Sequence, residues 1–151
     1  MLKTNVLSGL AIFSGVALLA SGLAIAQDPI AQRRAHMKTV GGAAKTGGQM
    51  IKGEIPFDAK KASEVMSAVA AAWPEFVKQF PDSAKTGGET TASPKIWENR
   101  KDFDAKGLVL KAKAEAASAA AMKDAASFKT AYGEFVGTCK GCHETYRIQK
   151  K

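Results

Sequence analysis

Both cysteines of the 151-residue chain and one of its two histidines fall within a single short stretch, "TCKGCHETYR", from Thr138 to Arg147. On a helix, Cys139 and Cys142 share one side about one turn apart, and His143 lies one residue beyond. Thiols at that separation can each form a thioether with one of the two vinyl groups of a single haem. The imidazole of His143 is then carried over the iron as its proximal ligand. That reading uses all three side chains.

The alternatives use fewer of them. A disulfide or thioredoxin-like pair takes only the two thiols, and such a motif normally opens a helix after a strand. A zinc site could take both thiolates and His143 but needs a fourth ligand, and the sequence holds no further cysteine. A structural disulfide within one helical turn is strained. A haem-free metal-chaperone or thiol-redox bundle stays open as a competing function, and a mass equal to the bare polypeptide would favour it.

The elements that must position this stretch are helical. Alanine is abundant, apolar residues recur at spacings of three and four, and no window alternates as a half-buried strand does. A first helix is predicted from about Pro29 to near Ile51, with Ile30, Met37, Gly41, Ala44, Gly48 and Ile51 on one stripe. Its glycines Gly41, Gly42, Gly47 and Gly48 each cost about 1 kcal/mol of propensity, so something must approach that helix closely. Asp58 caps a second helix running to Phe80-Pro81, with a kink or break expected at Pro74. Asp82 to Thr91 reads as a loop. Ser93 and Pro94 open a third helix continuing to about Met122. A fourth carries Phe128, Tyr132, Phe135, Cys139, Cys142 and Tyr146 at intervals of three and four, so the reactive residues lie on its buried face. The fold class is all-α, an antiparallel four-helix bundle with covalently bound haem.

Ahead of these helices, Lys3 precedes an uncharged run from Val6 to Ala26 that ends in Ala24-Ile25-Ala26. This has the form of a cleaved secretory signal peptide, which makes residues 1–26 a leader, residues 27–151 one domain, and the periplasm the destination. The run is long enough to anchor in a membrane, but its serines and glycines weaken it, so no stable insertion is expected after cleavage. The net charge of +8 drops to about seven with the leader, and the lysines are scattered, as on a solvated surface. Export excludes nucleic acid as a partner. A basic surface suits acidic redox proteins. No base and nucleophile constellation marks an enzyme.

Over essentially all of the proposed mature chain the sequence resembles the class II c-type cytochromes, the cytochrome c prime family. "CKGCHETYR" matches the family's haem-binding helix, including an arginine four residues after the histidine, here Arg147. "KGEIPFD" looks like its first interhelical turn, "FPDSAKTGGET" like its long loop and "TASPKIWENRKDF" like its third-helix entry. "AQRRAHMK" resembles the first helix, where Arg33 and Met37 match an arginine and the side chain over the distal haem face.

The resemblance implies one haem c, with iron, held through Cys139 and Cys142. It implies His143 as one axial metal ligand and Met37 as a candidate for the other. With a thioether on iron both oxidation states stay six-coordinate, which suits an electron carrier, and that is the reading taken first. The alternative is a five-coordinate, high-spin member that binds nitric oxide or carbon monoxide behind an apolar distal side chain, with Met37 a filler. His36 sits about 100° round the helix from Met37, so both cannot point at one iron, and it reads as a surface residue. Arg33 and Arg34 are candidates for the haem propionates, against the plainer reading of exposed cations. Thr91 is implied near the propionate edge. Trp97, Phe103, Phe128 and Tyr132 are expected to pack around the ring. Family members often pair through their first two helices, so a homodimer is possible.

Overall fold

A computed structural model describes residues 28–149. The expected leader, residues 1–26, lies outside the described residues. Five α-helices follow in order: α1 Pro29–Ile51, α2 Ala59–Val77, α3 Lys95–Glu98, α4 Arg100–Ala121 and α5 Ala125–Tyr146. Three begin on aspartate caps. Asp28 accepts hydrogen bonds from the backbone N–H groups of Ile30 and Ala31, Asp58 from that of Lys61, and Asp124 from that of Ser127. Each cap satisfies donors that the first turn leaves without an intrahelical acceptor. No helix among the described residues is long and apolar enough to cross a membrane.

Two local expectations are corrected. The helix predicted from Ser93 to Met122 is broken at Asn99, whose φ of −132° and ψ of 58° leave the helical region. The break lets flanking side chains serve the end of α2. The Trp97 indole donates to the Phe80 carbonyl at 3.1 Å, and Arg100 donates to that of Val77 at 2.8 Å. Pro74 does not break α2, which runs on to Val77. Its neighbours Trp73 and Phe76 are buried on either side, and their packing outweighs a proline penalty of roughly 3 kcal/mol.

Four long helices form the bundle, with α2 packed on α1 and α4, and α4 on α5. The α1–α5 seam is sparsely closed. The core divides in two along the bundle axis. One half is alanine-rich, where Ala62, Ala114, Ala117 and Ala121 draw the helices close around Met66, Phe128 and Phe135. The other is aromatic, with Trp73, Phe76, Phe80, Phe103 and Tyr146 around Ile96. A two-rung clasp ties the loop before α3 to the end of α5. The Ser93 N–H donates to the Tyr146 carbonyl at 3.0 Å, and the Ile148 N–H to that of Thr91 at 2.8 Å.

Candidate functional site

A cavity of about 610 Å³ opens at the aromatic half, walled by α1, α2, α4, α5 and the loop before α3. Helix α5 brings Cys139, Cys142 and His143 to it together. Their register is held by Phe135, one turn before Cys139 and fully buried, and by Tyr146, one turn after Cys142 and 4% exposed. Both cysteines are free and half-buried. Burial pushes both thiols up from their ordinary pKa, so they stay protonated near neutrality, unlike the thiolates of redox-active pairs. His143 is pushed down, by burial and then by Arg147, which favours the neutral imidazole that a metal requires. Among the described residues no group of three His, Cys, Asp or Glu converges to hold a bare metal ion.

Arg33 is 5% exposed, not the surface cation of the plainer reading. Its Nη2 donates to the Ala84 carbonyl at 2.8 Å, and the guanidinium lies 4.8 Å from the centre of the Phe80 ring and 5.8 Å from that of Trp97. Its Nε and Nη1 are buried with no hydrogen-bond partner among the described residues. Burial lowers its pKa, partly offset by Asp28. Unpaired donors on a buried cation are costly, and a carboxylate entering the cavity would satisfy them as a bidentate pair. Arg34 is exposed at the rim and pairs with Glu89 at 2.7 Å. Thr91 lines the cavity through the clasped loop.

Met37 is partly buried, lines the cavity with His143, and packs against both halves of the core. His36 is half-buried outside this cavity, with its ring edge-on to Phe76 at 6.2 Å. Gly41 also lines the cavity, and a Cβ there would meet no protein atom within 4 Å. Of the aromatics expected around a ring, Phe103 is at the cavity, whereas Phe128 and Tyr132 belong to the alanine-rich half and Trp97 stands behind Phe80. Helical periodicity gives a residue's face but not the level of the cofactor along the bundle.

Trp73, Phe76, Phe80 and Gly107 also line the cavity, and helical periodicity marks none of them as site residues. The Trp73 indole presses on Gly107 so closely that a Cβ would lie 1.8 Å from it. The signal is a glycine in mid-helix, where glycine costs about 1 kcal/mol without a packing reason.

Two thiols, an imidazole, an aromatic wall and a buried cation with spare donors fit a large planar ligand that has acidic groups at its edge. Haem is such a ligand. A family model described as Cytochrome C′ matches residues 28–147. The chain is 42% identical over 142 residues to cytochrome c′ from Rhodopseudomonas palustris, covering 93% of this chain and 97% of that protein. It is 35% identical over 132 residues to cytochrome c-556 from Agrobacterium fabrum, covering 87% of this chain and 89% of that one. Its fold matches the solved cytochrome c′ from R. palustris with a TM-score of 0.78 at 41% identity, covering 82% of this chain and 98% of that one.

Proposed function

This chain belongs to the cytochrome c′ family, monohaem c-type cytochromes whose haem c is covalent, and from that premise we propose that it binds nitric oxide or carbon monoxide on a five-coordinate iron. In this reading Cys139 and Cys142 carry the thioethers, His143 is the proximal ligand and the spare donors of Arg33 take a propionate. When bound, the haem would supply a one-electron couple and an iron able to take a small gaseous ligand. The protein's residues orient it, exclude water with the aromatic wall, and present an apolar distal lining that favours small uncharged ligands.

The observation that carries this reading is the packing of Met37 into apolar neighbours in both halves of the core, as a wall residue would pack. The family description and the relative at 42% identity weigh the same way, and so favour the alternative over the electron carrier that the sequence put first. The carrier remains the second reading, because the Met37 thioether lines the same cavity as His143 and relatives named cytochrome c-556 also match. Optical spectra separate the two. A high-spin ferrous spectrum that Met37→Ala leaves unchanged, and that carbon monoxide shifts, supports gas binding. Narrow low-spin bands lost in Met37→Ala overturn it in favour of the carrier.

Export through residues 1–26 to the periplasm, a role outside catalysis, and association as a homodimer belong to the same proposal. So does docking to acidic redox proteins, which would show as electron-transfer rates that fall as salt is added.

A further inference from the structure

Tyr146 has more bonds than its packing needs. Its ring is buried edge-on to Phe103 at 5.3 Å, a place that phenylalanine would fill equally well. The hydroxyl, however, donates to Asp102 Oδ2 at 2.5 Å and lies 3.4 Å from the Asn99 carbonyl. The same Asp102 oxygen is 3.5 Å from Lys106 Nζ, and Lys106 lines the cavity. Tyr146 stands four residues after Cys142 and three after His143, so it shares their helix face one turn on. Asp102 stands one contact back from the cavity, bonded to Tyr146 and paired with Lys106, which both line it. A buried hydroxyl needs a partner, but nothing requires that partner to be an anion beside the cofactor-bearing turn.

We infer that Tyr146 and Asp102 form a positioning and field-setting clasp: it pins the Cys142–His143 turn of α5 to α4 and fixes one carboxylate a single contact behind the cavity wall, with its charge moderated by the tyrosine hydroxyl and Lys106. The inference rests on the haem reading above. It names Asp102, Lys106 and Tyr146 as residues that tune the reduction potential without touching iron. A fixed anion near the group stabilises its more positive, oxidised state and lowers the potential. Removing the anion therefore raises the potential. Removing the hydroxyl leaves the anion less neutralised and lowers it.

The test is the midpoint potential of purified holoprotein by spectroelectrochemistry, with haem content by mass and thermal melting as controls. Asp102→Asn is expected to shift the potential positive and Tyr146→Phe to shift it negative. In the Asp102→Asn background the effect of Tyr146→Phe should shrink, as for any coupled pair. Lys106→Met should shift it negative and provides a second arm if Tyr146→Phe does not fold. A purely structural clasp lowers melting temperatures while the potentials stay equal or move in the same direction, and that result overturns the inference alone. A parent protein purified without covalent pigment overturns the haem reading and this inference with it.

Discussion

The two halves of the bundle bring α1 toward α5 by opposite means. In the alanine-rich half the helices meet directly. A Cβ on Gly47 would lie 2.6 Å from the Tyr132 ring, and the Tyr132 hydroxyl donates to the Ala44 carbonyl, so glycine there is what lets the seam shut. In the aromatic half the same two helices leave the cavity, and the glycine facing it, Gly41, has no protein atom to receive. One half is finished by the polypeptide alone. The other presents large rings, two thiols and a buried cation with spare donors to a space the chain does not fill. The contrast implies that cofactor and fold are coupled at the aromatic end and nearly independent at the other.

The largest effect should come from breaking the aromatic half chemically. Cys139→Ser with Cys142→Ser is expected to abolish covalent pigment, so that acid extraction under denaturing conditions leaves a colourless chain where the parent stays coloured. At the closed half, Phe128→Ala should cost about 3–5 kcal/mol in denaturant unfolding, because a fully buried ring leaves a cavity that the alanine-rich packing fills poorly. Covalent haem content should be unaffected there, and its loss would show that the halves are not separable. Gly47→Ala sharpens the contrast at about 1–3 kcal/mol of overpacking. Gly42, five residues earlier on the same helix and with open space at its Cβ, should instead gain up to about 1 kcal/mol as alanine. Equal responses at the two sites would contradict the close approach of Tyr132.

The remaining tests are finer. Burial, and then the Asp102 carboxylate, push Tyr146 up to about 12. An unfolded tyrosine ionises near about 10, so between those values the folded chain holds a proton that the unfolded chain has lost. This contribution is therefore complete below about pH 10 and lost as pH rises toward about 12. Urea midpoints should fall across that window, and less steeply in Tyr146→Phe. Smallest of all, Arg34→Ala should change stability by less than about 1 kcal/mol, because its pair with Glu89 is exposed on both sides. A larger change would mean that Arg34, and not only Arg33, bears on the cavity.

Much of this architecture is legible in the amino-acid sequence. Asp58 announces a helix start because capping is local, and the stripe through Phe135, Cys139, Cys142 and Tyr146 announces a buried face because helical geometry is local too. The break at Asn99 is not legible there. It depends on Trp97 and Arg100 reaching the carbonyls of Phe80 and Val77, which lie 17 and 23 residues away. Nor is the burial of Arg33, which rests on Ala84, Phe80 and Trp97, or the level of Phe128 and Tyr132 along the bundle.

The sequence by itself determined most of the helices and the candidate haem chemistry that Cys139, Cys142 and His143 offer on one helix face, because both follow from spacing within a turn or two of chain. Tertiary structure alone decided which side chains surround that chemistry: Arg33 with its spare donors, Trp73 pressed on Gly107, and Asp102 beneath Tyr146. Those partners come from different helices, and their meeting depends on how far each helix slides and turns against the next. That relation is set by packing through space and has no period along the chain.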